Sequence, residues 1–248
     1  MRRIAFLSDI HGNILALEAI VRDMQQRRID QIVTLGDLVS GPLWPAETIQ
    51  FLMKQEWMHI SGNHERQLLT NLPADQGLSD RYADSQLNDE EHAWLRALPS
   101  ILTLDEGITL CHGVPRSDKI YLLETIQNGR THLSSLNEIR TRLDGFHSPI
   151  LACGHSHTPR IIQVPGGPLI INPGSVGMPA YTDDGAVPHV VETGSPHARY
   201  AILEGNSSGW TAQLISVSYN HQRAAQQADL NNRPELAMGL RTGYVTGE

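Results

Sequence analysis

Five short motifs hold the side chains of this chain that could do chemistry together: Asp9-Ile10-His11, Gly36-Asp37, Gly62-Asn63-His64, Cys111-His112-Gly113 and Gly154-His155-Ser156-His157. Over almost 150 residues they supply two carboxylates, one amide and five imidazoles. That donor set is large enough to hold two divalent cations side by side and leave one imidazole spare. A pair of such cations is an arrangement suited to displacement at phosphorus. Singly, each motif has a plainer reading. Asp9 or Asp37 alone would be a helix cap or turn residue, His112 an ordinary imidazole, and Gly154 to His157 a turn. The other seven histidines (His59, His92, His132, His147, His189, His197 and His221) fall in no such pattern and read as structural or solvated.

The elements between the motifs decide whether the ligands can meet. Ile4 to Leu7 is a short continuous apolar run and reads as a buried strand. Asn13 can cap a helix with Ile14, Leu17, Ile20, Val21 and Met24 at helical spacing. A strand is expected from Gln31 to Leu35, a helix opened by Pro45 to about Gln55, and a third strand from Trp57 to Ile60. This alternation favours parallel pairing. Helices are expected over Glu65 to Leu72, Leu87 to Leu98 and Leu136 to Leu143. Strands are expected over Ile101 to Leu104, Ile108 to Cys111, Ile150 to Cys153, Arg160 to Val164 and Leu169 to Ile171. Tyr181 to His197, rich in Gly, Pro and Asp, reads as a surface excursion, and Ala198 to Tyr219 as a hairpin turning around Gly205 to Gly209. The polar remainder from Asn220 carries two helical stretches split by Pro234. Asp9, Asp37, Asn63, His112 and His155 then each follow a strand, so their side chains can converge on one sheet edge.

The chain reads as a single domain over residues 1–248, with a motif-bearing core at 1–180 and a C-terminal hairpin and tail at 198–248. Its 40% hydrophobic and 19% charged residues fit a globular protein with a sizeable core. A net charge of −8 argues against extended nucleic-acid binding or an anionic membrane surface. Cys111 and Cys153 are too few for a disulfide framework and read as buried strand thiols. No signal-like or membrane-length apolar run is present, and a cytoplasmic location is expected. Arg116 and Arg160 follow ligand motifs closely. Either could reach a substrate phosphate as a planar donor fork, or could equally form a surface salt bridge.

From Asp9 to Pro179, about seven tenths of the chain, the motif order resembles that of calcineurin-like metallophosphoesterases, with Asn172-Pro173-Gly174-Ser175 included. The resemblance implies a four-layer α/β/β/α sandwich with two mixed β-sheets. It also implies that Asp9, His11 and His157 hold one metal, that Asn63, His112 and His155 hold the other, and that Asp37 bridges them. Two divalent ions (Mn, Fe, Zn or Ni) suit these donors. The metals would lower the pKa of a shared water for attack at phosphorus. In such enzymes the histidine after the asparagine faces the leaving group, which makes His64 the catalytic acid or hydrogen-bond donor.

Gly62-Asn63-His64-Glu65 is similar to the corresponding stretch of serine/threonine protein phosphatases, and Gly36 to Pro42 to that of symmetrical dinucleoside tetraphosphatases. The Asp-Arg-Gly of the former is missing after Asp37, and the close spacing of His155 and His157 resembles a compact bacterial phosphodiesterase-like branch. The tail, with Arg233-Pro234-Glu235, is similar to that of uncharacterised bacterial members. The expected activity is hydrolysis of a small phosphodiester or nucleotide. The alternatives are a phosphomonoesterase, acting as protein phosphatase or dinucleoside polyphosphate hydrolase, and a catalytically silent binding scaffold.

Overall fold

Residues 2–206 and 209–245 are described in the computed structural model of the chain. The first third alternates as expected: β1 (Arg2–Leu7), α1 (Ile14–Gln25), β2 (Gln31–Leu35), α2 (Pro45–Leu52) and β3 (Met58–Ile60). Next come α3 (Asn63–Thr70), α4 (Leu78–Asp84), α5 (Asp89–Arg96), β4 (Ile101–Thr103), β5 (Ile108–Cys111), β6 (Glu124–Gln127), β7 (Arg130–Leu133) and α6 (Leu136–Leu143). The remainder is β8 (Ile150–Ala152), β9 (Arg160–Gln163), β10 (Leu169–Asn172), β11 (Ala180–Asp183), β12 (His189–Glu192), β13 (Ala198–Asn206), β14 (Gly209–Val217), α7 (His221–Leu230) and α8 (Pro234–Thr242).

Two mixed five-stranded sheets, in the orders β14-β13-β1-β2-β3 and β4-β5-β8-β10-β9, lie face to face. Side-chain parity along each strand shows the layering. Ile4 and Phe6 of β1 meet Ile108, Leu110, Ile150 and Ile171 between the sheets. Ala5 and Leu7 point the other way, onto Leu17 and Ile20 of α1 and Ile49 and Leu52 of α2. On the far side, Leu151 and Ile170 of the second sheet bury against Ile139 and Leu143 of α6. The order is therefore α/β/β/α, and β1, buried on both faces, explains its unbroken apolar run. Asn13 caps α1 by accepting the Ala16 amide at 3.2 Å, and Pro45 opens α2.

The structure adds pieces that the periodicity does not announce. A third, four-stranded sheet runs β11-β12-β7-β6. Half of it lies in the segment expected to be a surface excursion, which instead pairs Tyr181 with Val191 and fully buries Val191. The strands are short and flanked by Gly and Pro, so composition masks them. The other half, β6 and β7, is joined by Asn128-Gly129 with φ of 51° and 71°, a left-handed pair that suits a tight hairpin. Helix α4 was also unexpected, because only Asp80 and Ala83 of its seven residues are buried. At the other end of the chain, Ala224, Ala225 and Ala228 of α7 and Ala237 and Leu240 of α8 close on Leu43, just before α2. Of the turn between β13 and β14, residues 207 and 208 lie outside the described residues.

Candidate metal centre

Asp9 follows β1, Asp37 β2, Asn63 β3, His112 β5, and His155 and His157 β8, so both sheets deliver side chains to one edge. Backbone bonds fasten these loops together: Asp9 N to Gly36 O at 3.1 Å, His11 N to Asp37 O at 3.0 Å and Gly154 N to His112 O at 2.8 Å. Among the described residues ten non-glycine positions have positive φ, and Asp9, His11, Asp37, His155 and His157 are five of them. Each such position costs about 1–2 kcal/mol for an L-residue. Strain concentrated on the candidate ligands marks a functional constraint rather than random loop geometry.

The imidazoles are locked by their outer nitrogens. Nδ1 of His11 donates to the Ser40 carbonyl at 2.6 Å, that of His112 to Leu35 at 2.7 Å, and that of His157 to Met178 at 2.7 Å. With Nδ1 engaged by a carbonyl, each Nε2 faces inward as the nitrogen left to bind. His11 Nε2 and His157 Nε2 stand 3.1 Å apart. Two bare lone pairs at that distance repel unless a cation lies between them. Oδ1 of Asp9 is buried without a hydrogen-bond donor and lies 3.3 Å from His157 Nε2. Asp9, His11 and His157 thus form one group with converging donor atoms, and Asp37, His112 and His155 a second. Asn63 Oδ1 adds an oxygen 3.0 Å from His112 Nε2. Carboxylate, amide oxygen and imidazole fit a divalent first-row metal.

Charge states agree with that fit. Burial, then the neighbouring His157, pushes His11 down to about 3, and burial with His112 takes His155 to about 4, so both stay neutral as ligands must. Burial would raise Asp37, but His112 and His64 beside it hold it well below the usual carboxylate range. His112 goes the other way, to about 10, because Asp37 at 3.1 Å outweighs burial. Asp37 thus favours positive charge beside His112 Nε2, the charge that a cation held there would supply.

His64 is set apart from the two candidate ligand groups. Its Nδ1 lies 2.6 Å from Asp80 Oδ1, which also accepts from Ser40 Oγ at 2.5 Å. Asp80 comes from α4 and was not foreseen. Glu65 is a second residue the motifs left unassigned. It is fully buried and accepts from the amides of Asp37, Leu38 and Gly62 at 2.8, 2.7 and 2.8 Å, which ties the ends of β2 and β3 together. The Gly62-to-Glu65 spacing, that of a helix-start box, was its sequence signal.

The two arginines expected near substrate are each paired with a carboxylate. Arg116 is largely exposed and paired with Asp144, and Arg160 is held by buried Glu124 at 2.7 Å. Arg233, at the start of α8, instead lines a cavity of about 300 Å³ beside His11 and His64 and donates to Ser79 Oγ at 2.9 Å. A second cavity of about 610 Å³ opens on the other flank, past Asn63 and His155. A smaller one of about 90 Å³ lies between them, over Asp37 and the inner imidazoles. Tyr181, its ring 4.6 Å from that of His157, and Tyr121, 4.7 Å from His155, form the facing wall.

An α/β/β/α sandwich with this donor set at its strand ends defines a metal-dependent phosphoesterase. The calcineurin-like phosphoesterase superfamily domain matches residues 2–194, and the chain belongs to that family. It is similar to a metallophosphoesterase from Sphaerobacter thermophilus, at 26% identity and a TM-score of 0.76, covering 98% of this chain and 99% of that one. A hypothetical protein from Pyrococcus horikoshii has the same fold, at 19% identity and a TM-score of 0.74 over 98% and 99% of the two chains. An uncharacterized protein of Methanocaldococcus jannaschii is 24% identical over 94% of each chain.

Proposed function

We propose that the protein hydrolyses small phosphodiesters with two divalent cations. The observation that carries this reading is the pair of adjacent ligand groups on the floor of a cleft with an arm on either side. A monoester has one organic arm, whereas a diester has two and can use both. Asp9, His11 and His157 would hold one cation and Asn63, His112 and His155 the other, with Asp37 shared. Bound cations supply Lewis-acid charge at the phosphoryl oxygens and lower the pKa of water.

The chain's own residues do the rest. The outer hydrogen bonds of His11, His112 and His157 fix ring orientation, so the donors need not reorganise during reaction. His64, anchored through Nδ1 to Asp80, turns Nε2 away from that partner and borders the smaller arm, where it can donate a proton to the departing oxygen. Burial keeps the Tyr121 and Tyr181 hydroxyls protonated, and their mutual hydrogen bond at 2.6 Å, with Tyr121 also bonded to His189 Nε2 at 2.9 Å, stiffens the wall.

The test is metal content measured alongside turnover of bis-p-nitrophenyl phosphate and p-nitrophenyl phosphate, with Mn and with chelator. About two metals per chain and chelator-sensitive diester preference are expected. Monoester preference would replace the diester reading, and a chain that takes up no metal under any loading would return the silent scaffold.

A further inference from the structure

We propose that Asp183 selects substrate by charge, rejecting doubly charged phosphomonoesters and admitting singly charged diesters. The inference rests on the hydrolase reading above and gives the diester preference a physical cause. Among the described residues only Asn63 and Asp183 border all three cavities of the cleft. Asn63 belongs to the candidate ligand floor, so Asp183 is the wall residue that every part of a bound ester passes.

Its position is fixed by β11. Asp183 is two residues beyond Tyr181 and so shares its strand face, and the register sets Asp183 opposite His189 and Tyr181 opposite Val191. Oδ1 accepts the Gly185 amide at 2.7 Å. Among the described residues Asp183 has no ion-pair partner, and Arg233, on the same flank, is occupied by Glu235 at 2.5 Å. A phosphomonoester carries its second negative charge above pH about 6, while a diester carries one at any neutral pH. An unpaired carboxylate in the wall therefore penalises the monoester by the repulsion of one additional charge. Across a partly solvated cleft that repulsion is worth about tenfold.

Asp183→Asn keeps the acceptor for Gly185 and removes the charge. In the Mn-loaded full chain, the ratio of kcat/KM for p-nitrophenyl phosphate to that for bis-p-nitrophenyl phosphate should rise about tenfold. The rise should come through the monoester, and it should shrink in wild type at high salt. Asp184→Asn, which borders only one arm, should shift the ratio less. A readout independent of turnover is thermal protection of the Mn-loaded protein by inorganic phosphate. The variant should need about tenfold less phosphate than wild type, and dimethyl phosphate should protect both alike. An unchanged ratio, or equal gains for both esters, overturns the role of Asp183. If wild type binds Mn but turns over neither ester, equal phosphate protection in wild type and variant overturns it alone. Absence of Mn binding by wild type overturns the hydrolase reading along with it.

Discussion

The imidazole of His64 sits between a buried carboxylate and the cleft, and that placement decides which proton it can move. Burial opposes its charge, but Asp37 nearby and the Asp80 hydrogen bond raise it to about 9. A donor held up in this way is present below that pH and is lost as pH rises through it. Asp80→Asn removes one of the supports, so the alkaline limb of kcat/KM should move to lower pH. A limb that stays in place would detach Asp80 from the donor. His64→Ala should lower turnover by roughly 10²–10⁴-fold with metal content retained, and full activity toward an ester with a poor leaving group would exclude the role. At this scale the sequence was informative about donors and nearly silent about their supports. An Asp or His three letters from a glycine turn can be recognised by type. Asp80 and Glu65 matter only through which hydroxyl, imidazole and amides the packing brings to them. For Arg116 and Arg160 the sequence left a phosphate contact and a salt bridge both open, since nearness in sequence to a ligand motif does not set side-chain direction, and each forms an ion pair.

The loops at the ends of β2 and β3 cross at almost no clearance. A Cβ on Gly62 would sit 2.2 Å from Asp37 Oδ1, and one on Gly36 would sit 2.5 Å from Gly62 N. Gly62→Ala must displace the Asp37 carboxylate or the loop itself. It should strip metal and destabilise the protein by about 1–3 kcal/mol, read by metal analysis and thermal melting, and a variant with normal metal content would contradict the assignment of Asp37. Elements with one strong period were legible: β1 as an apolar run, α1 from its spacing and cap, and β13 with β14 as a long hairpin. Elements that live on tertiary pairing were not. β11 and β12 are four residues each and bounded by turn formers, and α4 offers little apolar surface to betray it. These less visible elements are the ones that supply Asp183, Tyr181 and Asp80 to the cleft.

For the molecule as a whole, a ligand set assembled only in the folded chain couples metal to stability. At a free metal concentration about 100 times the dissociation constant, the linkage amounts to about 2.7 kcal/mol. For a chain of this size that corresponds to a rise in Tm of roughly 5–10 °C. Calorimetry with Mn and then excess chelator should show the rise and its reversal, and an unmoved Tm at saturating metal would deny the coupling. No described helix is long and apolar enough to cross a membrane. The topology carries a further consequence, for biosynthesis. β1, which leads into Asp9, is hydrogen-bonded on one side to β2 but on the other to β13, with Phe6 opposite Ala201. During translation that second edge stays open for roughly 10–40 s while the intervening chain is made. The sheet that carries Asp9 is therefore sealed late, after the motifs of Asp37, Asn63, His112 and His155 have all been made.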